Sequence, residues 1–159
     1  MTTLKPGNTA PDFTLPADGG QHITLSAYRG QKLVLYFYPK DDTPGCTTES
    51  CDFRDHLSAF NNADIAVIGV SKDSVTKHDK FKAKHGLNFP LASDENSDVC
   101  ERYGVWAEKS MYGKKFMGIE RTTFLIDEQG NIAHIWHKVK VPGHVADVIH
   151  AAKGLARAA

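Results

Sequence analysis

Hydrophobic positions along the chain alternate between continuous apolar runs and helical periodicities. Residues 33–38 and 65–70, with the sequences LVLYFY and IAVIGV, are apolar runs typical of buried strands. Between these runs, Phe53, Leu57 and Phe60 are spaced four and three apart, which predicts a helix with one buried face. A strand, a helix and a second strand in this order predict a parallel pair joined by a right-handed crossover.

Two further helices follow the second apolar run, and both carry recognisable end signals. Ser74 is a helix cap and Gly86 a helix stop, while a shorter helix follows Asp94 and stops at Gly104. A last helix near the carboxyl end places apolar side chains on one face. That face comprises Val145, Val148, Ile149 and Ala152.

Two hairpins are predicted from strand patterns on either side of turn residues. The first joins residues 13–15 to residues 22–24, and the second joins residues 122–127 to residues 132–138. Residues 106–120 mix glycines, aromatic residues and lysines without a clear period. We therefore expect a long ordered loop there, of the kind that often borders an active site.

This order of elements is typical of an α/β thioredoxin-like fold, in which helices cover both faces of a mixed central sheet. The amino-terminal β-hairpin is expected to cap one end of the core. The chain shows no repeat or linker, and its 159 residues suit one hydrophobic core. We therefore expect a single domain over residues 1–159.

Composition and charge exclude several classes of function. The 19 basic residues balance the 19 acidic ones, so no overall field attracts nucleic acid or an anionic membrane. The apolar runs are too short to span a bilayer, and the amino-terminal stretch MTTLKPGNTAPDF lacks the layout of a signal or transit peptide. We expect a cytoplasmic protein that binds neither nucleic acid nor membrane.

The three cysteines do not form a recognisable disulfide framework or metal site. An odd number argues against a secreted, disulfide-bonded domain. Four residues separate Cys46 from Cys51, Cys100 stands alone and the histidines are scattered, which disfavours zinc. No Cys-x-x-Cys pair is present, which disfavours dithiol exchange as the main activity. We expect no metal and no cofactor.

Cys46 lies in the first turn of an expected helix, for which Thr43 is the cap and Pro44 the opening residue. Because it precedes Phe53 by seven residues, we expect it to face inward on the same side of that helix. Unpaired N–H groups and the positive end of the helix dipole favour an anion there, so we expect a reactive thiolate. The alternative is a small buried hydrophobe. Cys100, beside Val99, fits that second description better, with a back-up partner for Cys46 as the alternative.

Cys51 lies on a different side of the same predicted helix. It is turned about 140° from Cys46, and the two alpha carbons would be about 8.7 Å apart on a regular helix. A disulfide allows roughly 4.4 to 6.8 Å. If these two cysteines pair, the first turns of the helix must therefore unwind.

The spacing Pro39-x-x-x-Thr43-x-x-Cys46 behind a strand resembles the signature of the peroxiredoxins. The segments TPGCTTESCDFRD and GIERTTFLID resemble the bacterioferritin comigratory protein, or Q-type, subfamily, and the likeness extends over about residues 3–155. It implies that Cys46 is the peroxidatic cysteine, which attacks hydrogen peroxide and organic (alkyl) hydroperoxides.

The same resemblance implies roles for three further residues. Thr43 would contact peroxide and thiolate, Pro39 would shield the pocket, and Arg121 would supply a cation whose forked donors suit thiolate and peroxide oxygens. Taken singly, each has a plainer reading, as a helix cap, a strand terminator and a surface residue. Whether Glu49 orients an arginine or only complements the helix dipole stays open.

The resemblance also implies how Cys46 is regenerated. Cys51 would resolve the sulfenic acid within one chain, and thioredoxin or a similar dithiol protein would reduce the resulting disulfide. The carboxyl-terminal helix contains no cysteine, which argues against dimers that resolve across chains, so a monomer is expected. Two alternatives from other classes are a redox sensor, which would pass oxidation to a partner, and a holdase. A holdase would tolerate Cys46→Ser and would need an exposed apolar stripe, which the sequence does not indicate.

Overall fold

The computed structural model of this chain describes residues 3–155. The strands are β1 (Thr14–Pro16), β2 (His22–Thr24), β3 (Lys32–Phe37), β4 (Ile65–Ser71), β5 (Leu91–Ser93), β6 (Trp106–Met111), β7 (Lys114–Ile119), β8 (Thr122–Ile126) and β9 (Ile132–Trp136). The α-helices are α1 (Pro44–Asn62), α2 (Val75–His85), α3 (Val99–Arg102) and α4 (His144–Gly154).

The central sheet contains five strands in the order β5-β4-β3-β8-β9. β4 runs parallel to both β3 and β5, whereas β8 runs antiparallel to both β3 and β9. The predicted parallel pair, the predicted carboxyl-terminal hairpin and the mixed α/β sheet are therefore confirmed. β5 was not predicted, because three residues are too few to show a period.

The side chains of β3 alternate between two apolar clusters on opposite faces of the sheet. Leu33, Leu35 and Phe37 join one cluster, to which α3 and the β1–β2 hairpin contribute. Val34 and Tyr36 join the other, which α1, α2 and α4 cover. Helices thus lie on both faces, as expected, and the thiol-bearing helix α1 packs on the second face.

The predicted signals for α2 are confirmed at both ends. Ser74 accepts a hydrogen bond from the Lys77 backbone N–H, and Gly86 ends the helix in the left-handed conformation with a φ of 61°. The following helix is shorter than predicted. The Asp94 carboxylate accepts hydrogen bonds from the N–H groups of Val99 and its neighbour, so α3 begins only at Val99.

The expectation of a loop over residues 106–120 is wrong, because this segment forms the antiparallel hairpin β6–β7. Much of the hairpin is exposed on both faces, so its sequence lacks the apolar alternation that marks a half-buried strand. Large exposed apolar side chains occur along it: Met111, Tyr112, Phe116 and Met117. The sequence alone had indicated no exposed apolar stripe.

No helix within residues 3–155 has the length and apolar content needed to cross a bilayer.

Candidate active site

The site begins where β3 ends and α1 starts, in the segment of residues 39–43 that we call the catalytic loop. Thr43 occupies the N-cap position of α1, as predicted, and a proline follows it in the first turn. Its hydroxyl does not cap the helix but donates to the Lys40 carbonyl oxygen over 2.8 Å. Because that proton is already used, Thr43 Oγ1 can only accept a hydrogen bond from a further ligand.

Cys46 faces the interior, as its position on the helix predicted, with 1% of its surface exposed. Arg121 Nη2 donates to Cys46 Sγ over 3.3 Å. A guanidinium at this distance places a positive charge beside the sulfur, and the start of the helix adds the positive end of its dipole. The two features act on the same sulfur atom.

The register of the sheet explains why Arg121 lies beside this thiol. β3 and β8 are antiparallel, and Phe37 is opposite Thr122. Arg121 directly precedes Thr122. It therefore lies at the end of the sheet where β3 stops and the catalytic loop begins. Residues 75 positions apart in sequence thus share one site.

Glu49 holds the other side of the Arg121 guanidinium. Arg121 Nη1 donates to Glu49 Oε1 over 2.7 Å, and Glu49 is fully buried. Burial raises the pKa of Glu49 to about 7, although the adjacent guanidinium lowers it. Oε2 of this carboxyl has no hydrogen-bond partner among the described residues. Of the two readings left open for Glu49, the one in which it orients an arginine is therefore confirmed.

Gly45 gives Arg121 the space that it needs above the first turn of α1. A Cβ atom at Gly45 would lie 3.2 Å from Arg121 Nη2, closer than an ordinary van der Waals contact. Sequence reasoning missed this requirement. The available signal was a glycine in the first turn of a helix, a position where a better helix former is usually favoured.

The two remaining cysteines lie apart from Cys46. Cys51 is half-buried on the intact helix α1, and both it and Cys46 are free thiols. Cys100 is fully buried in the cluster on the opposite face of the sheet. Burial raises the pKa of the Cys100 thiol, and the nearby Asp94 raises it further. The prediction of a packed core thiol at Cys100 is confirmed.

A cavity of about 310 Å³ lies next to the catalytic loop. Its lining includes Pro39 and, from the β6–β7 hairpin, Lys109, Phe116 and Met117. Burial lowers the pKa of Lys109, and the charge of Arg121 lowers it further, whereas negative charge on Cys46 or Glu120 acts in the opposite direction. The sequence singled out none of these hairpin residues, because it did not reveal the hairpin itself.

The geometry suits attack by a single thiolate and not the exchange chemistry of a vicinal dithiol. The thiol is buried, it contacts a cation, and its neighbouring cysteine is held on another side of the helix. Within a thioredoxin-like fold, this combination defines a thiol peroxidase.

Comparison with known proteins gives the same class. The sequence pattern of the AhpC/TSA family matches residues 6–135. Peroxiredoxin Bcp of Bacillus subtilis is 50% identical over 153 residues, which cover 96% of this chain and 98% of that protein. The chain belongs to the AhpC/TSA family and, within it, to the Bcp or Q-type peroxiredoxins.

Solved structures of this subfamily superpose closely on the chain. PrxQ of Xylella fastidiosa, as a cysteine-to-serine mutant, gives a TM-score of 0.91 at 43% identity, covering 96% of this chain and 98% of that one. The bacterioferritin comigratory protein of Xanthomonas campestris, described for its alkyl peroxide reduction activity, gives 0.87 at 46% identity with the same coverage. The chain is thus an enzyme of the peroxiredoxin class with the expected thioredoxin-like fold.

Proposed function

We propose that Cys46 is the peroxidatic residue of this enzyme. The observation that carries the proposal is the hydrogen bond from Arg121 Nη2 to Cys46 Sγ. A thiolate, and not a thiol, attacks an O–O bond, and Arg121 stays charged over the whole working pH range. Glu49 fixes the guanidinium so that one nitrogen points at the sulfur.

In the first step, a sulfur lone pair of the Cys46 thiolate forms a bond to the terminal oxygen of a hydroperoxide. The O–O bond breaks, Cys46 is oxidised to a sulfenic acid, and the other oxygen leaves as hydroxide or alkoxide and takes a proton from water. Charge therefore moves from sulfur to the departing oxygen. Arg121 and the Cys46 backbone N–H are the donors that can stabilise it there.

Thr43 and Pro39 prepare the peroxide for this attack. Because the Thr43 hydroxyl proton is used by Lys40, its oxygen is left to accept the hydroperoxide O–H, which orients the substrate. Pro39 lines the neighbouring cavity and shields the pocket from water.

The second step regenerates the thiol through Cys51. The Cys51 thiolate attacks the sulfenic sulfur, an S–S bond forms, and hydroxide leaves and is protonated to water. Thioredoxin or a similar dithiol protein then reduces the Cys46–Cys51 disulfide, and its own two thiols are oxidised. Unwinding of the first turns of α1 brings the two cysteines together and exposes the bond to this reductant.

Hydrogen peroxide and small alkyl hydroperoxides are the proposed substrates. Peroxiredoxins as a family act on peroxides and are reduced by thiols. The cavity beside the loop has apolar side chains from the β6–β7 hairpin, which suit an alkyl group. The Xanthomonas campestris relative, described for alkyl peroxide reduction, supports this assignment. We further propose that the enzyme acts as a cytoplasmic monomer and that residues 1–159 form one domain.

The test is peptide mass mapping after one equivalent of hydrogen peroxide, combined with single cysteine variants. We expect a Cys46–Cys51 disulfide in the native protein and no peroxide consumption by Cys46→Ser. Cys100→Ser is the matched control, because it removes a buried thiol on the other face of the sheet and should react normally. Rapid peroxide consumption by Cys46→Ser would refute the assignment.

A further inference from the structure

Three titratable side chains that the peroxidase chemistry does not use lie together beside the catalytic loop. Tyr38 and His78 are fully buried, and Asp41 is 8% exposed. The Tyr38 hydroxyl donates to Asp41 Oδ1 over 2.6 Å, and Asp41 Oδ2 lies 2.6 Å from His78 Nδ1. Polar and charged groups are costly to bury unless each atom has a partner. This cluster therefore needs a physical reason.

The contacts of His78 determine where the protons lie. His78 Nε2 is 3.0 Å from the Ala92 carbonyl oxygen, which can only accept, so Nε2 carries a proton. A second proton lies between His78 Nδ1 and the Asp41 carboxylate, whichever partner holds it. The His78–Asp41 pair has no net charge, whichever of the two residues holds this proton. Both ring nitrogens and both carboxylate oxygens have a hydrogen-bond partner.

Asp41 lies in the middle of the catalytic loop and joins it to three other parts of the fold. Its carboxylate binds Tyr38 at the end of β3 and His78 on α2. Its backbone N–H donates to Asp73 Oδ2, after β4, over 2.8 Å. The loop is therefore fixed to the sheet and to α2, and not only to the helix that carries Cys46.

We propose that Asp41 and His78 are positioning residues that hold the catalytic loop, and with it Pro39 and Thr43, in register with Cys46. The inference rests on the proposed function of that loop. Misplacing a reacting group by about 1 Å costs on the order of a hundredfold in rate. Loss of the anchor should therefore slow attack on peroxide, while the contact from Arg121 to Cys46 persists.

Substitutions at position 41 separate hydrogen bonding from charge. Asp41→Ala removes both side-chain hydrogen bonds and should slow Cys46 oxidation about tenfold to a hundredfold. Asp41→Asn should stay within about threefold of the native rate. Its amide oxygen accepts from Tyr38, and its amide N–H donates to Nδ1 of a neutral His78 that keeps its Nε2 proton for Ala92.

A matched pair of tyrosine variants separates loop positioning from general stability. Tyr38→Phe removes the hydroxyl that binds Asp41. Tyr103→Phe removes the hydroxyl of another fully buried tyrosine, in the other core cluster, which donates to Pro11 O over 2.7 Å. Only Tyr38→Phe should slow the oxidation of Cys46, by about threefold to tenfold. If Asp41→Ala does not fold, the comparison of these two tyrosine variants still tests whether the contact with Asp41 positions the catalytic loop.

Each variant is measured in three ways: the rate of Cys46 oxidation by hydrogen peroxide, the ultraviolet absorbance of the thiolate and the free energy of unfolding in urea. We expect slower oxidation with unchanged thiolate absorbance for Asp41→Ala and Tyr38→Phe. Native rates in both would overturn the proposal, and so would an Asp41→Asn rate as low as that of Asp41→Ala. Failure of the native protein to oxidise at Cys46 would instead refute the proposed function.

Discussion

Among single residues, Glu49 combines full burial with an ionisable group that contacts Arg121. Burial raises the pKa of Glu49 from 4.5 to about 7 against the opposing effect of Arg121. Because the folded-state value lies above the unfolded one, the folded protein binds more protons between these two pH values. The resulting stabilisation is complete below about pH 4.5 and is lost as the pH rises through about 7.

The prediction at this scale concerns Glu49→Gln, which keeps an oxygen acceptor for Arg121 but cannot ionise. Between about pH 5 and about pH 8, the free energy of unfolding of the native protein should decrease by roughly 3 kcal/mol more than that of the variant. Urea denaturation at several pH values measures the difference. Glu95→Gln, at an exposed carboxylate, is the control and should follow the native curve. Parallel curves for Glu49→Gln and the native protein would contradict the prediction.

At the scale of secondary-structure elements, helix α1 has a reactive first part and a firmly packed second part. In the second part, Phe53 stacks on the Tyr36 ring with a centroid distance of 4.6 Å. The Tyr36 ring fits there because Gly69 has no Cβ, which would otherwise lie 2.8 Å from it. From Phe53 onward, the buried face of the helix belongs to the core, so unwinding should stop near that residue.

We therefore predict that oxidation melts only the start of α1. Hydrogen exchange measured by mass spectrometry should accelerate over residues 44–51 when the Cys46–Cys51 disulfide forms, whereas protection around Phe53 and Phe60 should persist. Cys51→Ser is the control, because its oxidised form cannot make this disulfide and should keep the native protection. Unchanged exchange in the oxidised native protein would refute local unwinding.

The elements also show what the sequence could and could not reveal. The start of α1, the inward direction of Cys46 and the ends of α2 follow from local patterns, and all of these predictions were confirmed. The contact between Arg121 and Cys46 depends on the register of β8 against β3, which no local pattern encodes. The local sequence around Arg121 predicts no more than a surface residue. Only the family resemblance predicted that it belongs to the site.

At the scale of the whole molecule, the β6–β7 hairpin changes the description of the site most. The sequence did not predict this hairpin. It brings Phe116 and Met117 to the cavity beside the catalytic loop. Both side chains are also partly exposed, with 44% and 50% of their surfaces accessible. An alkyl group that enters this cavity would bury some of that apolar surface, which favours its binding. Hydrogen peroxide has no apolar part and gains no such stabilisation.

We predict that shortening these side chains weakens the reaction with bulky hydroperoxides alone. Met117→Ala should lower the second-order rate with cumene hydroperoxide by about threefold to tenfold, since loss of one or two buried methylene contacts costs on this order. Its rate with hydrogen peroxide should not change. Met111→Ala is the matched control, because it removes the same side chain from the same hairpin at a position that does not line the cavity. Equal losses with both peroxides would show that the hairpin supports the loop and does not bind the alkyl group.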